Sequence, residues 1–214
     1  MTEAPRYTYL RDAAAIYRAS FAAIEREADL ARGPAELKPL ALRIAHAAGD
    51  VAILADLAAS PGAVAAGRAA LAAGAPILAD ASMVAAGIAA ARLPCANPVL
   101  AMIGDPRVAE IAARLGTTRA AAAVELWRPL LAGAVAAIGN APTALFHLLE
   151  MIGAGAPRPA LILGFPVGFV GAVEAKDALA ANPFGIPWIA LHGRRGGSAM
   201  AAAAVNALAL GAAP

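Results

Sequence analysis

Arg43 and His46 stand three residues apart in Leu42-Arg43-Ile44-Ala45-His46-Ala47-Ala48-Gly49, so a helix would bring their side chains together one turn apart. The apolar residues Leu37, Leu40, Ala41, Ile44 and Ala48 supply that helix with a buried stripe. Their period predicts a helical run over 35–48, with Arg43 and His46 on another face. Gly49 is a natural stop, which puts His46 in the last turn, where the negative end of the helix dipole favours a cationic side chain. An imidazole so placed can serve as a general acid. The same residues also suit a partly buried structural histidine or a plain surface one, and spacing alone does not separate these readings.

Arg119 poses a similar question in Gly116-Thr117-Thr118-Arg119-Ala120. Thr117 or Thr118 would cap a helix there, and a cation in the first turn opposes the dipole. A planar guanidinium that binds a carboxylate accounts for it, as does a structural ion pair or simple exposure. The turn Gly193-Arg194-Arg195-Gly196-Gly197-Ser198 combines glycines for close backbone approach with cations for anions, although an ordinary solvated loop has the same composition. His147, amid Leu145-Phe146-His147-Leu148-Leu149, reads as a core or interface residue.

Other chemistries lack their motifs. His46, His147 and His192 are far apart, there is no H-E-x-x-H or C-x-x-C, and no local set of metal ligands is expected. Cys95 is the single cysteine, so no internal disulfide can form. No phosphate-binding loop is present. The nearest dinucleotide fingerprint, Gly153-Ala154-Gly155-Ala156-Pro157-Arg158, precedes a strand instead of following one and reads as a helix-ending turn.

The elements that must position these residues follow from hydrophobic period. A first helix is expected over 11–31, closed by Gly33-Pro34. Downstream, short apolar runs at 75–79, 99–103, 135–138, 160–163 and 188–191 alternate with alanine-rich helical stretches. This alternation predicts a flavodoxin-like, three-layer α/β/α fold with a five-stranded, mostly parallel sheet. Each strand candidate ends in a polar or glycine-bearing turn. In such sheets ligands bind beyond the carboxyl ends of the strands, where helix N-termini offer free N–H groups, so an anionic ligand is expected there. No linker interrupts the pattern, and one domain over 1–214 is expected.

The composition fits an α/β protein better than a membrane protein. Hydrophobic residues make up 61% of the chain, but 66 of the 214 residues are alanine, which carries little apolar area. The longest stretch without a charge, 129–149, is broken by Gly139-Asn140-Ala141-Pro142 and holds His147. Met1-Thr2-Glu3-Ala4-Pro5-Arg6 lacks the apolar run of a secretory signal, so a cytoplasmic location is expected. A net charge of +2 without Lys/Arg runs gives no reason to expect a nucleic-acid partner.

Taken in order, several blocks resemble the precorrin-8X methylmutases, which include the cobalt-precorrin-8 methylmutases. They are Tyr9-Leu10-Arg11-Asp12, Ile16-Tyr17-Arg18-Ala19-Ser20-Phe21, Ala45-His46-Ala47-Ala48-Gly49, Gly74-Ala75-Pro76-Ile77-Leu78-Ala79-Asp80 and Met83-Val84. The second half adds Thr118-Arg119-Ala120, Gly139-Asn140-Ala141-Pro142-Thr143, Gly164-Phe165-Pro166-Val167-Gly168-Phe169-Val170, Glu174-Ala175-Lys176-Asp177 and Gly196-Gly197-Ser198-Ala199-Met200. A colinear set of this length is far more specific than any one motif.

The resemblance implies an isomerase of cobalamin biosynthesis that moves a methyl group from C11 to C12 of a polycarboxylate tetrapyrrole. The product would be hydrogenobyrinate, or cobyrinate if cobalt is already present. It implies a homodimer with sites near the subunit interface, His46 as the acid that protonates the ring C nitrogen, and Ser20, Arg43 and Arg119 at positions that meet the substrate. Cys95, His192 and Arg195 match no family role. A methyl shift within a conjugated macrocycle needs one tautomer selected and the ring held still, so no cofactor is expected. The alternative is a corrinoid-binding or carrier protein that kept the pocket without turnover. A flavin or nucleotide enzyme rests on the fold pattern alone.

Overall fold

Alternate residues of a strand face opposite sides of a sheet, and here each side finds its own set of helices. The computed structural model describes residues 6–30 and 34–210. Its strands are β1 (Leu57–Ala59), β2 (Ile77–Ala79), β3 (Val99–Ala101), β4 (Val135–Ile138), β5 (Leu161–Gly164) and β6 (Trp188–Leu191). Its helices are α1 (Ala13–Glu27), α2 (Lys38–Ala48), α3 (Ala63–Ala72), α4 (Ser82–Gly87), α5 (Arg107–Leu115), α6 (Arg119–Glu125), α7 (Pro142–Gly153), α8 (Ala172–Ala180) and α9 (Ser198–Leu210).

On one face Ile77, Val135, Leu163 and Ile189 pack with residues of α2, α3, α4 and α9. On the other, Leu78, Ala136, Ile138 and Ile162 pack with α6, α7 and α8. The three layers are therefore those expected. β4 and β5 are buried along their whole length, as parallel strands covered on both faces must be.

The strand order is β1-β6-β5-β4-β2-β3, parallel except for β1, which pairs antiparallel with β6. All five expected strands are present, and the expected count of five is corrected to six among the described residues. The added strand, Leu57-Ala58-Ala59, is three residues in an alanine-rich stretch with no β-branched residue, so nothing local marks it. It becomes a strand because β6 has a free edge beside it. The 99–103 run also stops early. After Ala101 the chain turns into a short 3-10 segment at Met102–Gly104.

The first helix spans Ala13–Glu27 and is capped by the Asp12 side chain, which accepts from the Ala14 N–H. It stops at Glu27, where Ala28 turns to extended backbone, so the expected run to Ala31 is corrected to an earlier end; Ala31 itself and the Gly33 half of the Gly33-Pro34 stop lie outside the described residues. α2 ends at Gly49, whose φ of +64° is a left-handed conformation that favours glycine, and His46 falls in the last turn as expected. No helix among the described residues is long and apolar enough to cross a membrane.

Candidate active site

Two helices bring the candidate acid together with its neighbours. On α1, Tyr17, Ser20 and Phe21 share a face through i, i+3 and i+4 spacing, and on α2 Arg43 and His46 do the same. The Ser20 hydroxyl lies 2.8 Å from His46 Nδ1. The Phe21 ring stacks on the imidazole at 5.3 Å and 12°, and the Tyr17 ring meets it at 5.2 Å, tilted by 54°. Arg43 is 8% exposed and donates to the Tyr17 hydroxyl at 2.9 Å. With Nδ1 engaged by Ser20, the other ring nitrogen, Nε2, is the one that can meet a ligand.

His46 and Arg43 line a hollow of about 270 Å3, whose other walls are Tyr17, Gly87 and a row of small α9 residues including Ala199 and Ala202. Arg43 and His46 thus share one face of α2, as their spacing predicts, and this face meets α9. Tyr17 and Phe21 carried a usable signal in their helical spacing with Ser20, but not one that named their target.

Arg119 stands in the opposite layer. Thr118 caps α6, its hydroxyl oxygen accepting from the Ala121 N–H, and the Arg119 guanidinium donates to the Ile103 carbonyl at 3.3 Å, just past the carboxyl end of β3. The Thr118 and Thr143 hydroxyls are 2.8 Å apart, which ties this helix start to that of α7. So the structure groups Ser20, Arg43 and His46 directly, while Arg119 is exposed on the far side of the sheet.

Asp80, 2% exposed at the end of β2, organises the turn after β4. One carboxylate oxygen accepts from the Gly139 N–H at 2.9 Å, and the other from Asn140 at 3.0 Å and Ala141 at 2.7 Å. Burial pushes the Asp80 carboxyl above the usual range, with the three amide donors working against that rise. This clamp was not foreseen, because an aspartate before a helix reads locally as a turn residue.

A second buried charge secures the turn after β6. Lys176 is fully buried and donates to the Arg195 carbonyl at 2.8 Å. Burial lowers its pKa to about 8, against the opposing pull of Asp56 and Asp177. The Arg195 side chain itself reaches Asp50 at 3.1 Å and Asp56 at 2.8 Å, so it holds the turn to the segment that follows α2. Arg195 is a structural cation here. His192 lies 3.3 Å from Asp177, His147 bonds Glu125 at 2.8 Å between α6 and α7, and Cys95 Sγ donates to the Ala72 carbonyl at 2.9 Å. Among the described residues no group of three or more His, Cys, Asp or Glu side chains is placed to hold a metal ion.

The lowered Lys176 value has a testable consequence. Between about pH 8 and the ordinary lysine value of 10.5 the unfolded chain holds a proton that the folded one has lost. Stability therefore rises with pH across that window, and this contribution is lost as pH falls through 8. Lys176→Met removes the titration. The melting temperature of the wild-type protein relative to this variant is expected to rise from pH 8 to 10.5, and a constant difference would contradict the assignment.

Comparison with known proteins gives this geometry a family. The family described as Precorrin-8X methylmutase matches residues 15–210. A precorrin-8X methylmutase of Pseudomonas aeruginosa is 62% identical over 201 residues, which cover 94% of this chain and 97% of the relative. Another from a Sinorhizobium species is 58% identical over 205 residues, covering 96% and 98%. The crystal structure of a precorrin-8X methyl mutase from Thermus thermophilus superposes with a TM-score of 0.83 at 44% identity, over 92% of this chain and 94% of that one. Matched at this identity along nearly its whole length, the chain belongs to the precorrin-8X methylmutase family.

Proposed function

We propose that this isomerase of cobalamin biosynthesis shifts a methyl group from C11 to C12 of precorrin-8X, or of its cobalt-bearing counterpart, with His46 as the proton donor. The observation that carries the proposal is the Ser20–His46 hydrogen bond at the edge of the hollow. When His46 is protonated, its Nδ1–H donates to the Ser20 oxygen and its Nε2–H is left for the ligand. Transfer of that proton to the ring C nitrogen selects one tautomer, and the methyl then migrates with no atom gained or lost overall. Stacking on Phe21 fixes the plane of the imidazole, so the proton is delivered along one direction.

Mixing the protein with precorrin-8X separates catalysis from carriage. Catalysis gives a colour change that proceeds over many turnovers, whereas a carrier gives a spectral shift that stops at one ligand per site. The second result would overturn the proposal.

Arg119 is assigned to a peripheral carboxylate of the tetrapyrrole, since its fork is exposed and its hydrogen bond to Ile103 is long. A carboxylate at the ring edge is the same in substrate, transition state and product, so the contact stabilises all three equally. Arg119→Ala is expected to raise the Michaelis constant and the product dissociation constant by roughly ten- to a hundredfold, with the single-turnover rate nearly unchanged. Lysine should restore only part of the affinity. Unchanged product affinity would remove Arg119 from the binding site.

The protein is further assigned to the cytoplasm, acting as a single domain and assembled as a homodimer. Exposed apolar side chains at Tyr7, Tyr9, Leu10 and Ile16 offer a second copy a contact surface next to α1. Sedimentation is expected to give about twice the chain mass of 21.2 kDa, and a monomer at micromolar concentration would refute the dimer.

A further inference from the structure

The hollow at His46 measures about 270 Å3, whereas pockets for drug-sized ligands run to roughly 300–1,000 Å3. A tetrapyrrole exceeds that size, so much of its surface must rest on what adjoins the hollow. Ala199 and Ala202, in the first two turns of α9, form one wall. The residues just before α9 are laced to the loop after β5: the Gly197 N–H donates to the Phe165 carbonyl at 2.8 Å, and the Gly168 N–H to the Arg194 carbonyl at 3.2 Å.

At the tip of that loop Phe169 and Val170 are 86% and 89% exposed. Two adjacent large apolar side chains left in water mark a contact surface. The Arg194 guanidinium sits over the Phe169 ring, 5.3 Å from its centroid. Among the described residues no carboxylate lies within ion-pair distance of Arg194, in contrast to Arg195 beside it. A planar apolar face next to an available guanidinium is complementary to a flat ring with carboxylates on its rim.

We infer that Phe169, Val170 and Arg194 form a platform for the part of the tetrapyrrole that lies outside the His46 hollow. Phe169 takes the apolar face of the ring and Arg194 one carboxylate at its edge. The inference rests on the methylmutase reading and names further residues of the same site. A second copy of the chain would cover the apolar tip, but it would also desolvate Arg194 with no anion identified to meet it.

The test is titration of hydrogenobyrinate, and of its fully amidated derivative, into the wild-type protein, Phe169→Ala and Arg194→Gln. Phe169→Ala is expected to weaken both ligands about tenfold, since the ring face is common to them. Arg194→Gln is expected to weaken the acid about tenfold and the amide little. Both variants should keep the wild-type rate in single turnover at saturation. Unchanged affinity for the acid in both variants overturns the platform, as does a lost saturated rate with affinity retained. A change in sedimentation of either variant also overturns it, because the tip would then belong to the contact between copies. If the wild-type protein itself neither binds hydrogenobyrinate nor converts precorrin-8X, the functional reading falls first. If the wild type does both and the variants match it, only the platform falls.

Discussion

His46→Ala is expected to lose methyl migration almost entirely, by about 10²–10⁴-fold in the single-turnover rate, while still folding and still binding the tetrapyrrole. The range is that of one well-placed general acid, and any remaining acceleration would come from holding the ring in a product-like shape. The fold should survive because His46 is an exposed residue in the last turn of α2, where alanine is well tolerated. Binding should survive because the imidazole is only one of the walls of the hollow. His46→Asn is the sharper variant. An amide can replace part of the hydrogen bonding to Ser20, yet it has no proton to give at neutral pH, so it should bind like the wild type and turn over little. Stopped-flow absorbance with precorrin-8X, paired with product titration, separates the two effects. Near-normal turnover in either variant would take the acid role away from His46.

The largest effect on stability is expected at Asp80. Replacing it with alanine strands the amide N–H groups of Gly139, Asn140 and Ala141, which now share its two carboxylate oxygens. An unpaired buried donor costs about 1–3 kcal/mol, and entering water would recover part of that. Asp80→Ala is therefore expected to lose about 3 kcal/mol or more, a large share of a typical total of 5–15 kcal/mol. Asp80→Asn should lose less. Its carbonyl can still serve the two amides of Asn140 and Ala141, while its NH2 group faces the Gly139 N–H and leaves that donor unpaired.

The Asp80 turn also bears on the site. Ser198, at the start of α9, lies so close to Gly139 that a Cβ there would stand 2.9 Å from the Ser198 Cα. Shifting the turn would therefore press on the helix that walls the His46 hollow, and substrate affinity should fall along with stability. Equilibrium denaturation of both variants checks the stability claim. A loss below about 0.5 kcal/mol in Asp80→Ala would show that the three amides find other partners.

The features that could be read from the residues alone were those with a local period or a colinear motif. The five parallel strands were legible because short apolar runs bounded by turn residues recur between alanine-rich helices, and burial on both faces leaves no polar alternation to confuse them. The end of α2 at Gly49 and a threonine cap of α6, at Thr117 or Thr118, were legible because capping chemistry acts within one turn. The pairing of Arg43 with His46 on one face followed from helical geometry, and the family followed from blocks that keep their order along the chain.

Tertiary structure decided what depends on residues far apart in sequence. Ser20 and His46 are separated by 26 positions and meet only because α1 packs on α2. Lys176 looks like an ordinary exposed helix lysine until the turn after β6 closes over it. Asp80 becomes a clamp only when β2 and β4 lie side by side. β1 is a strand only because β6 offers an edge. Arg119, beside a cap that local chemistry predicts, is set on the opposite layer from His46 by the side of the sheet on which α6 packs. Short-range propensity cannot encode such choices, because the free energy that makes them comes from burying surfaces that no single segment contains.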